Sequence, residues 1–82
     1  MPVFLGKHKL TEGMTEADVK EGWGKYKASA QEKGLKPLHA NFSVEAGFAY
    51  CETEAPNAQA VRDAHSAVEI PLEEVTEVVT VD

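Results

Sequence analysis

The sequence predicts an α+β domain in which strands and helices follow one another in the order β-α-β-β-α-β. Three observations predict it. Two segments carry apolar residues at helical spacing: Val19, Trp23, Tyr26 and Ala30 in one, and Ala58, Val61, Ala64 or His65, and Val68 in the other. Residues 35–44 and 48–53 are strand-like runs flanking Glu45-Ala46-Gly47, the pattern of a hairpin. Both ends of the chain are short β-prone runs, Val3-Phe4-Leu5 and Val75 to Val81.

Taken in order, the first strand opens at Val3 and extends toward Leu10, and Thr11 to Met14, with Gly13, forms a loop. Thr15-Glu16-Ala17-Asp18 reads as a capping box with Asp as the shorter acidic partner, so a helix follows. Gly22 and Gly24 weaken that helix by about 1 kcal/mol each, or allow close packing beside Trp23. Gly34 stops it. The hairpin comes next, and Pro56 suits the first turn of the second helix. Pro71 breaks that helix, Leu72-Glu73-Glu74 offers one more turn, and the last strand closes the chain. This is the split βαβ, or ferredoxin-like, arrangement over a single domain, residues 1–82: an antiparallel sheet with two helices on one face and the other face bare.

Composition bounds the function. The 82 residues bury roughly 63% of their unfolded surface, enough for one thin core. Hydrophobic residues at 43% and charged residues at 27% place the chain among globular domains. Eight basic against 14 acidic residues give a net charge of −6, which repels a phosphate backbone and an anionic bilayer surface. Neither nucleic acid nor membrane is therefore an expected partner. The first residues show no basic stretch followed by an apolar run, and the expected location is cytoplasmic. Cys51 is alone, which excludes an intrachain disulfide, an iron–sulfur cluster and a Cys-rich zinc site.

Strand parity sorts the side chains between the two faces. Leu38, Ala40, Phe42 and Val44, with Ala49 and Cys51, are expected toward the helices, and His39, Asn41, Phe48, Tyr50 and Glu52 toward the bare face. If Val3 and Leu5 are core, Phe4, Gly6 and His8 join the bare face. Such an aromatic surface is expected to be covered by a second copy of the chain, giving a homodimer. Imidazoles and carboxylates are transition-metal ligands, and His8, His39, Glu52 and His65 are the candidates. Pairing Val44 with Gly47 across the turn sets His39 opposite Glu52. His65 lies on the apolar side of the second helix, where Cys51 is its expected neighbour. A Cys51–His65 nucleophile is disfavoured, because a thiol buried among apolar groups is inert. Glu73, Glu74 and Glu77 read as a solvated strand edge.

The residues His39-Ala40, Ala49-Tyr50-Cys51-Glu52-Thr53-Glu54-Ala55-Pro56-Asn57, Ala60-Val61, His65 and Glu74-Val75-Thr76-Glu77-Val78 carry a resemblance. The chain resembles a domain-of-unknown-function family of small bacterial ferredoxin-like proteins whose characterised members bind nickel. The match is best over residues 38–78, and His8, His39 and His65 fall where those relatives carry histidine. Ser66-Ala67-Val68-Glu69-Ile70 replaces a His-x-x-Ala-Gly helix ending, and Glu12 stands near an extra loop histidine of the relatives. The resemblance implies a homodimer that binds nickel, or another divalent metal, for handling or sequestration rather than catalysis. Two alternatives stand beside it. One is a small dimeric enzyme, monooxygenase- or isomerase-like, with a cleft lined by Trp23, Tyr26, His65 and Cys51. The other is a dimerising interaction module without chemistry. A cleft filled by Trp23 and Phe42 would count against the enzyme.

Overall fold

Six elements follow one another along residues 1–82, all of which the computed structural model describes. They are β1 (Val3–Lys9), α1 (Glu16–Glu32), β2 (Lys36–Ser43), β3 (Phe48–Glu54), α2 (Ala58–Ser66) and β4 (Glu74–Val78). The strands form one antiparallel sheet in the order β2-β3-β1-β4, the ferredoxin-like topology that the sequence predicts. No helix is long and apolar enough to cross a membrane.

Local chemistry explains the element ends. Thr15 and Asp18 form the expected capping box: the Asp18 N–H donates to Thr15 Oγ1 at 3.2 Å and the Thr15 N–H to Asp18 Oδ2 at 2.9 Å. Gly34 follows α1 at φ +79°, a left-handed conformation natural to glycine. Pro56 lies before α2 rather than in its first turn. Asn57 is the N-cap, its Oδ1 accepting from the Ala60 N–H at 2.8 Å, and a cap one residue after the proline pushes the proline outside. Leu72-Glu73-Glu74 is not a helical turn. The Glu73 N–H donates to Lys7 O at 2.8 Å, which draws the segment onto β1 and starts β4 at Glu74. The strand stops at Val78, because its partner in the register is Val3, where β1 begins.

The core lies between the sheet and the helices and comprises Phe4, Tyr26, Ala30, Leu35, Cys51, Ala55, Val61 and Ala64. Small residues let the helices approach, and Ser29 Oγ donates to Ala64 O at 2.9 Å to tie α1 to α2. Trp23 packs at the edge of this core.

Two parity expectations need correction. Phe4, Gly6 and His8 face the helices, and Val3, Leu5 and Lys7 face the bare side. Antiparallel partners share a face, and the register pairs Phe4 with Thr53, Gly6 with Cys51 and His8 with Ala49. The triplet Val3-Phe4-Leu5 is apolar at every position and fits either parity. Gly6 decides the matter physically. A Cβ there would lie 2.8 Å from Cys51 Sγ and 3.1 Å from Leu72 Cδ1, so only glycine stands over the thiol. Leu38 is the second correction. It is the extra residue of a bulge between Pro37 and His39 and remains 38% exposed. Pro37 has no N–H to give the ladder, and the register shifts directly after it. From the turn back to His39 the register is unbroken and sets His39 opposite Glu52, as the hairpin reading expects; the shift displaces only Pro37 and Lys36.

Candidate metal centre

Three elements converge at one end of the core. β1 brings His8 near its last residue, β3 brings Cys51 from its middle, and α2 brings His65 from its last turn. Cys51 Sγ lies 3.5 Å from Nε2 of His8 and 3.5 Å from Nε2 of His65. One ligand atom from each residue lies within 4.8 Å of the others.

Hydrogen bonds fix both imidazoles. His8 Nδ1 is 2.8 Å from Pro71 O, and His65 Nδ1 is 2.8 Å from Val61 O. A carbonyl only accepts, so each Nδ1 carries the proton and each Nε2 presents a lone pair toward the thiol. Metal-binding histidines are oriented in this way, with the far ring nitrogen donating to a carbonyl or carboxylate. The fold supplies the two carbonyls. Val61 O comes from the helix turn below His65. Pro71 O follows the cap of α2, where Glu69 takes φ +58° and the Ile70 N–H donates back to His65 O at 3.0 Å. Tyr26 stacks on His65 with ring centroids 3.8 Å apart, and its hydroxyl bonds to Thr53 Oγ1.

Burial sets the protonation states. His65 is 1% exposed, and desolvation holds its pKa down to about 4, against the contrary pull of its bond to Val61 and with a smaller contribution from His8. Burial also lowers His8, partly opposed by its bond to Pro71. Burial pushes the Cys51 thiol up to about 11, although backbone hydrogen bonds oppose the shift. At neutral pH the site therefore holds two neutral imidazoles and one thiol. One S–H proton faces two nitrogen lone pairs, leaving the cluster one donor short. This electron-rich set suits a cation. With metal–sulfur bonds of about 2.3 Å and metal–nitrogen bonds of about 2.0–2.1 Å, neighbouring N and S ligands stand roughly 3.1–3.5 Å apart, in line with the N···S spacings here.

The cluster forms part of the lining of a cleft of about 260 Å³. Trp23, Tyr26, His65 and Cys51 all line it, as the enzyme alternative expects, and it is not filled by Trp23 and Phe42. Of the four ligands named from sequence, His8 and His65 meet here. His39 and Glu52 lie on the opposite face of the sheet, where His39 Nε2 contacts a Glu52 carboxylate oxygen and the His39 side chain is 60% exposed. Cys51, the third member of this cluster, is not among the candidates named from sequence. The signals for it were its expected contact with His65 and the Gly6 that fixes the parity of β1.

A ferredoxin-like domain with a His-Cys-His donor set in a cleft defines a small domain whose buried face can hold a cation. The family described as nickel responsive protein SCO4226-like matches residues 4–78, and the chain belongs to it. The solved structure of SCO4226 from Streptomyces coelicolor A3(2) is similar at a TM-score of 0.86 and 22% identity, covering 98% of this chain and 99% of that one. At that identity the likeness speaks for the fold. No curated protein matches the chain.

Proposed function

We propose that this protein binds nickel through His8, Cys51 and His65 and serves in nickel handling or sequestration. The observation that carries the reading is the pair of Nε2 lone pairs held on one thiol by carbonyl-anchored Nδ1 protons. The donor set alone suits nickel, copper, zinc or cobalt, and nickel is selected by the family to which the chain belongs. The two histidines are already neutral, so binding requires only the thiol proton to leave. His39 and Glu52 offer two further donors on the bare face, too few for a closed site within one chain. The proposed partner is a second copy, docking over the bare face around Leu5, Phe48 and Tyr50 in the cytoplasm.

Calorimetric titration of metal-stripped protein tests the site. Expected is one nickel per chain, bound with a Kd of about a micromolar or tighter, with about one proton released near neutral pH. His8→Ala and His65→Ala should each weaken binding by about a hundredfold or more. Unchanged affinity in His8→Ala would refute the assignment. Sedimentation of Leu5→Lys against the parent tests the dimer, which this substitution should dissociate.

A further inference from the structure

The cleft beside the three ligands is larger and more apolar than an ion needs. An apolar cavity of about 150 Å³ takes up benzene, and this one measures about 260 Å³. Leu10, Val19, Trp23 and Ile70 are among its walls, and His8, Cys51 and His65 form its polar end. The walls offer dispersion contact and an indole face. The polar end offers acceptors, since both Nδ1 atoms donate to carbonyls and the single S–H serves one Nε2 at a time. What is missing there is a hydrogen-bond donor on a body that fits among apolar walls.

We propose that the metal-free cleft binds a neutral single-ring aromatic alcohol of the phenol class, with the ring against Trp23 and the hydroxyl donating to the unpaired Nε2. An anion is disfavoured. The polar end accepts rather than donates, Asp18 and Glu69 also line the cleft beside Lys9, and the chain carries a net charge of −6. A ring without a donor leaves the nitrogen unpaired and loses that hydrogen bond. This inference concerns the metal-free protein and does not rest on nickel binding. A bound cation would engage the same lone pairs and compete with the alcohol.

Trp23 is the only tryptophan, so its indole N–H gives one NMR resonance to follow. Metal-stripped protein is titrated with phenol, toluene and benzoate. Expected is a saturable shift with phenol at a Kd below about a millimolar, and binding about tenfold weaker or worse for the other two. Gly22 lines the cleft, and a Cβ added there meets nothing within 4 Å, so Gly22→Leu adds bulk at this wall without a clash. It should keep the helix, glycine being the poorer helix former, and weaken phenol by about tenfold. Val19→Phe narrows the same wall and should do likewise. Equal affinity for toluene and phenol, no saturable shift up to about 10 mM phenol, or phenol binding unaffected by both variants would overturn the inference.

Discussion

On the helix-covered face of the sheet, His65 is 1% exposed, stacked on Tyr26 and held in one tautomer by Val61 O. On the bare face, His39 stands mostly in water and pairs with Glu52. Both residues are histidines within reach of another ligand type, yet their surroundings give them different chemistry. Desolvation on the covered face keeps the imidazole neutral and its lone pair available, the state a metal requires. A contact between a largely exposed imidazole and a carboxylate contributes little to stability and does not hold the ring as a buried carbonyl does. What makes a histidine a candidate ligand here is therefore the carbonyl behind it and the thiol in front of it.

The largest expected effect separates the two faces by metal affinity. Cys51→Ala should weaken nickel by more than about a hundredfold, whereas His39→Ala should change it by about twofold or less in calorimetric titration. Comparable losses in both would erase the distinction between the faces.

The metal-free protein should also show the covered face in its response to acid. His65 has a folded pKa of about 4 against 6.5 for an unperturbed histidine. The unfolded chain then takes up a proton that the folded site refuses, so stability is full above about pH 6.5 and falls as the pH drops toward about 4. The shift corresponds to about 3 kcal/mol, in the same direction as the lowered pKa of His8. Urea midpoints across this range check it, and His65→Gln should flatten the slope. Metal binding titrates at the other end. With Cys51 at about 11, nickel affinity should rise by about tenfold per pH unit between about pH 7 and 9.

A smaller effect probes the packing that keeps the thiol in place. Gly6→Ala puts a methyl group 2.8 Å from Cys51 Sγ. It should destabilise the fold by about 1–3 kcal/mol and shift the sulfur away from the two nitrogens. Nickel affinity should fall by about tenfold, and thermal unfolding of the metal-free protein reads the stability directly. The smallest effect lies at the cap behind His8. Glu69 holds φ +58°, which costs a non-glycine residue about 1 kcal/mol. Glu69→Gly should recover up to that amount and leave nickel binding intact.

Much of the architecture was legible in the sequence. The Thr15–Asp18 box, the turn after Val44, the proline-flanked second helix and the Val-rich ends define the order of elements, and local chemistry explains each. The covered face was harder to read because Val3-Phe4-Leu5 carries no alternation. One residue of parity moves His8 from one side of the sheet to the other. Gly6 held the missing information, but its meaning depends on Cys51 lying across from it, a non-local pairing. Leu38 misled for a similar reason, since a bulge after Pro37 breaks the alternation that would bury it. Cys51 and His65 were expected as neighbours, and the third member of the cluster came only with the register of β1.

The most direct test is an optical titration of metal-stripped protein with nickel, following the thiolate-to-nickel charge-transfer absorption. Expected is a band that saturates at one nickel per chain, disappears in Cys51→Ala and persists in His39→Ala. Nickel bound without that band, and lost in His39→Ala rather than Cys51→Ala, would place the metal on the bare face and contradict the assignment to His8, Cys51 and His65.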